Sequence, residues 1–190
     1  MNALAALLVV AVLVFWLIGG HHRLADLRAR FKAAFAQIDA QLKHRYELIP
    51  RVVEIARSYM KHERETLDAV IRARDAAQQA DLAAAADPGH AAAIRALIDA
   101  EARLSGALGK LFALAEAYPD LKADPELGRL NEELTATESR IAFARQGFND
   151  AVAGFNTAAR QFPSSLIATL FAFHPAAAYG DRPRVQQTVR

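Results

Sequence analysis

The chain has 190 residues and no cysteine, carries 23 basic against 21 acidic residues, and is 53% hydrophobic. The lack of cysteine excludes disulfides, thiol nucleophiles, thiolate metal sites and a lipidated N-terminal cysteine. Basic and acidic residues are interleaved, so the net charge of +2 leaves no nucleic-acid footprint, and abundant alanine, leucine, arginine and glutamate favour helix.

The first element is apolar. Ala3 to Ile18 carries no charge, and with Gly19 and Gly20 it reaches about 18 residues, enough to cross a bilayer as a helix. Trp16 stands near one end, where aromatic belts lie. A cleaved signal peptide would want a basic start and a small-residue cleavage site. Met1-Asn2 and Leu17-Ile18-Gly19-Gly20-His21-His22 fit neither well. Residues 1–20 therefore read as an uncleaved anchor, with residues 3–20 in the lipid bilayer. Arg23, Arg28, Arg30 and Lys32 follow at once, which puts the short N-terminus outside and the body in the cytoplasm.

From Leu24 onward the pattern is helical, punctuated by prolines. Leu24, Leu27, Phe31, Ala34, Ile38 and Leu42 form one apolar stripe, and only Gly19 and Gly20 weaken its join to the anchor. Pro50 disfavours helix at Ile49 and suits the first turn of a second helix, striped by Val52, Val53, Ala56, Tyr59, Met60, Leu67, Val70 and Ile71. That helix fades into alanines before the turn signal Asp87-Pro88-Gly89. A third carries Ile94, Leu97, Ile98, Leu104, Leu108, Leu111 and Leu114, and ends at Tyr118-Pro119-Asp120.

The fourth run is the most regular. Leu127, Leu130, Leu134, Thr137, Ile141, Ala144, Phe148, Ala151, Phe155, Ala158 and Phe162 alternate steps of three and four, a heptad seam of large and small residues. It serves either as bundle core or as a contact with another subunit. Short connections make successive helices antiparallel, so the chain returns toward the membrane side near Phe162. The apolar stretch 163–173 then either packs on the open end of the bundle or touches membrane or a second subunit through Leu166, Ile167, Leu170, Phe171 and Phe173. Residues 174–190 read as a disordered tail. The fold class is all-α: an N-terminal transmembrane helix followed by an antiparallel up-and-down four-helix bundle of long helices over 21–162.

Three stretches, Gln37 to Pro50, Tyr59 to Leu67, and Ala115 to Ala123 continued by Glu132 to Gln146, resemble the LemA family of bacterial membrane proteins. Phe162-Pro163-Ser164-Ser165-Leu166-Ile167-Ala168 is similar to the family's ending. The resemblance covers about residues 24–173. It implies a membrane helix with a tiny external end, a cytoplasmic bundle, location in the bacterial inner membrane, and no established enzyme activity. Arg51 stands where the family usually has asparagine, and Gly147 and Gly154 where bulkier residues are usual, which loosens helix four.

Chemistry-bearing patterns are scarce. His62-Glu63 begins like a zinc-protease motif, but Thr66 stands where the second histidine is required. His21 and His22 are adjacent and point about 100° apart on a helix. No phosphate loop, nucleophile elbow or dinucleotide fingerprint occurs. Catalytic residues, metal ligands and cofactors are accordingly expected to be none. Glu63 breaks an apolar stripe and requires a partner, with Arg140 or Arg145 the candidates. Asn149 and Asn156 flank the seam and can hydrogen-bond across helices, with solvent exposure the expected state. The functional expectation is a membrane-anchored, non-catalytic scaffold acting through self-association or an unidentified protein partner. The alternative is a ligand-responsive or enzymatic bundle with a polar site at Glu63, Glu138, Arg140 and Arg145.

Overall fold

The computed structural model describes residues 2–180, with side chains undescribed at 2–6, 9, 10 and 13. Its elements are α1 (Asn2–Tyr59), α2 (Arg64–Ala86), α3 (Ala91–Ala115), the single turn α4 (Pro119–Lys122), α5 (Pro125–Arg160) and α6 (Ser164–Leu170). All of its regular structure is helical. α1 leads away from the apolar N-terminal end and α2 returns along it. α3 leads out again beside α2, α4 turns the corner, and α5 returns along α1. α6 closes the near end against α1 and α5.

Each helix forms because apolar residues recur at steps of three and four and bury together. One cluster runs through α1, α2, α3 and α5, with Phe31, Phe35, Ile38, Leu42, Ile49 and Val52 as the α1 wall. Phe31, Phe35, Phe148 and Phe155 interlock, with the Phe31 and Phe155 rings 5.3 Å apart and the Phe35 and Phe148 rings 5.6 Å apart. The α5 seam is core up to Phe148 and Phe155. From there the buried small positions are Val152 and Ala159 as well as Ala158, because a 3.6-residue helix drifts off a strict heptad. Phe162 lies beyond the helix end and is exposed. Asp124 caps α5, accepting from the backbone N–H of Glu126 and Leu127, with Pro125 at the first helical position.

Pro50 does not begin a helix. It sits inside the unbroken α1, and the chain turns at Met60–Glu63 instead. Proline has no N–H to give to the carbonyl of Tyr46 one turn back. Arg74 on α2 supplies the missing donor, its Nε 3.1 Å from that oxygen. The defect in one helix is repaired by another, which a local reading of the sequence could not show.

Among the described residues no helix is long and apolar enough to cross a membrane. The expected span Ala3–Gly20 falls in part on side chains outside the described set. Of those described, Leu7, Leu8, Val12, Val14, Phe15 and Ile18 are all exposed.

The expected disordered tail is corrected over 174–180. This segment lies against the bundle with Ala176 and Tyr179 buried, because hydrogen bonds from α5 hold its backbone. Residues 181–190 lie outside the described residues.

Candidate functional site

The buried polar residues sit on the helical stripes themselves. Arg45 falls between Leu42 and Ile49 on α1, Glu101 between Leu97 and Leu104 on α3, and Asp81 between Ala77 and Ala84 on α2. All three are almost wholly buried. Arg45 Nη1 is 3.0 Å from Glu101 Oε2. Its Nη2 donates to Ser105 Oγ at 3.0 Å and to Glu138 Oε1 at 3.1 Å. The second Glu101 oxygen accepts from Tyr46 Oη at 2.7 Å. Burial, then the neighbouring Glu101 charge, pushes the Tyr46 phenol far above its ordinary range. One buried cation thus faces one buried anion, joined by hydrogen bonds from three helices. Such a pair costs much to break and fixes how the helices register. A cleft of about 190 Å³ opens beside it, lined by Ser105, Asn131, Thr135 and Glu138 among others.

Asp81 lacks a cation of its own. It meets Asp39 on α1, whose other neighbour is Lys43 at 2.8 Å. Among the described residues no donor reaches the buried Oδ1 of either carboxylate. Burial first, and the Asp39 charge second, push the Asp81 pKa up to about 7. Burial and a facing carboxylate both favour the protonated form of Asp81.

The sequence-derived polar set does not assemble. Glu63 stands at the start of α2, half-buried, and makes no capping hydrogen bond. That turn lies at the same end as the start of α5, since Tyr59 Oη bonds Asp124 at 3.1 Å. Arg140 lies about 24 Å further along α5. Arg140 lines a groove between α1 and α5 with Gln37, Gln41 and the exposed Phe143. Arg145 turns to Tyr179, its guanidinium 4.3 Å from the ring centre. Only Glu138 joins the buried network, through Arg45. Reading Glu63 onto the stripe assumed a helix starting at Pro50; with the turn at Met60–Glu63 that register is lost.

At the opposite end α6 buries one apolar face and exposes another. Ile167 and Ala168 bury against Leu24, Ala158 and Ala159, with Trp16, Leu17 and Phe173 packed around them. A Cβ on Gly20 would run into the end of the Ile167 side chain, so glycine lets α6 lie close to α1 here. Leu166, Leu170 and Phe171 point away and are exposed. Phe171 and Phe173 also pack on His21, at 4.7 and 5.6 Å between ring centres.

Asn149 and Asn156, expected in solvent, are the residues that hold the final segment. Asn156 bonds both the N–H and the C=O of Ala176, at 2.9 and 2.8 Å. Asn149 does the same for Tyr179, at 2.7 and 3.1 Å. Their seven-residue spacing was the legible signal.

The model of the LemA family matches residues 34–189. The chain belongs to the LemA family. The family match takes in α2 to α6, the Asn149 and Asn156 pair and the segment they hold. Among curated proteins, magnetosome protein MamQ of Magnetospirillum gryphiswaldense is 30% identical over 95 residues, covering 50% of this chain and 35% of its own length. Magnetosome protein MamQ 2 of Paramagnetospirillum magneticum is 28% identical over 89 residues, 47% of this chain and 33% of its own. The chain spans about a third of the length of these relatives. Gly147 helps to line the Phe143 groove and Gly154 a second groove between α1 and α5. Neither interrupts α5.

Proposed function

We propose that this LemA-family chain is a membrane-anchored, non-catalytic scaffold that acts through self-association or partner docking. The observation that carries the reading is the shared position of two apolar surfaces. The exposed side chains of the N-terminal part of α1 and the outer face of α6 lie at the same end of the bundle. In water these would form an unusually large apolar patch. In a bilayer the α1 segment is the span, and α6 lies where acyl chains meet headgroups. Exposed Arg23, Arg28 and Arg30 follow directly, where a cytoplasmic face favours them. The segment 3–20 is then a single pass in the bacterial inner membrane, with the bundle in the cytoplasm.

The non-catalytic part rests on the polar residues. The buried Arg45 and Glu101 pair with each other, and exposed charges pair along helix faces. The magnetosome proteins matched here share only part of this chain, and no partner is carried over from them.

Alkaline extraction of membranes holding the full chain tests the anchor. The unaltered chain is expected to stay with the lipid. Val12→Arg places a charge mid-span at a cost of about 2.5–3.5 kcal/mol and is expected to release a large fraction. Full release of the unaltered chain would overturn the reading.

A further inference from the structure

We propose that the cradle formed by α5 and the α2–α3 turn is a docking site for an extended peptide with a small residue and, three positions on, a tyrosine, and that residues 174–180 of a second copy occupy it in trans. The proposal rests on the scaffold reading and gives its self-association an interface.

The cradle reads backbone. Each asparagine amide grips the N–H and C=O of one residue, as a neighbouring β-strand would. Seven residues of α5 rise about 10.5 Å. Three residues of extended chain cover about 10 Å. Asn156 and Asn149 therefore match Ala176 and Tyr179, with the peptide antiparallel to α5. The α2–α3 turn adds a fifth bond, Ala177 N–H to the Gly89 carbonyl at 3.1 Å.

Two side chains supply selectivity. Tyr179 is buried beneath Arg145, whose Nη2 donates to its hydroxyl at 3.2 Å. Ala176 is buried where a Cβ on Gly89 would stand 3.4 Å from its own, leaving room for little more than a methyl group. The one sequence seen to fit both pockets is this chain's own, so another copy carries the best-matched ligand.

The link into the segment carries one strained residue. Ala172 is held at φ 53°, a conformation that costs a side-chain-bearing residue about 1–2 kcal/mol. Where the chain passes from Ala172 to Ala176 it helps enclose a cavity of about 310 Å³. Exchanging the segment between copies keeps every cradle bond and relieves Ala172, in return for a new path for Phe173, which packs on His21 and Phe155. Copies held in one membrane plane meet at high effective concentration.

The chain has no cysteine, which gives a clean test. The Cβ separation at 89 and 176 suits a disulfide. Full-length Gly89→Cys and Ala176→Cys chains, differently tagged, are co-expressed, and their membranes are oxidised. A covalent heterodimer is expected, its yield falling several-fold when Asn149→Ala and Asn156→Ala are added to the Gly89→Cys chain. The double variant Gly89→Cys/Ala176→Cys reports that the two positions meet. If it closes only within one chain, and the single variants give no heterodimer, exchange is overturned. The unaltered chain is sized in mild detergent alongside. A multimer without the 89–176 crosslink removes the cradle and leaves self-association standing; a strict monomer removes both.

Discussion

Arg45 and Glu101 lie on apolar stripes, between Leu42 and Ile49 and between Leu97 and Leu104, and pair with each other. Arg45→Met leaves the Glu101 carboxylate buried with only Tyr46 as a donor. It is expected to destabilise the bundle by about 3–5 kcal/mol in denaturant unfolding. Replacing both, Arg45→Met with Glu101→Leu, is expected to recover more than half of that loss. Asp81 makes a second expectation, in pH. Its carboxyl holds a proton more tightly folded, at about 7, than in the unfolded chain. Its contribution is therefore complete below about pH 4 and is lost as pH rises through 7. Thermal stability is expected to fall across that window, and Asp81→Asn to flatten the fall. Both sites were half legible. A charge at a step of three or four within an apolar stripe announces a buried polar residue, but its partner lies on another helix and no spacing names it. The seven-residue spacing of Asn149 and Asn156 was legible but their partner was not, because they bind backbone atoms, which every sequence has.

Among the elements, α1 carries the main lesson. Its stripe ran on through Arg45 and Ile49 to Met60 without a change of phase, while Pro50 argued for a break. Periodicity proved the better guide, since Arg74 makes good the one hydrogen bond that proline removes. Arg74→Met is expected to cost about 1–3 kcal/mol by leaving the Tyr46 carbonyl bare. In a Pro50→Ala background the new N–H reaches the same oxygen, and the cost is expected to drop by half or more. Unfolding of the four chains of this cycle measures the coupling, and independent costs would refute the repair. α6 was legible as an apolar segment with two destinations. It takes the bundle with Ile167 and Ala168 and leaves Leu166 and Leu170 exposed.

For the whole molecule, helix number and direction follow from stripe lengths and short connections, and these were readable from Leu24 to Phe155. The return of the chain to its starting end follows from the same count of helices. That return places α6 beside Gly20 and Leu24, where the apolar start of α1 meets the bundle. The central claim is that this end lies at the membrane and the Met60–Glu63 turn lies far from it. A cysteine placed singly at Leu170 or at Lys61 in the reconstituted full chain carries an environment-sensitive fluorophore without competition. The label at 170 is expected to emit at shorter wavelength and to be quenched by lipid-borne quenchers, while the label at 61 stays water-like and unquenched. Equal, water-like emission at both positions would contradict it.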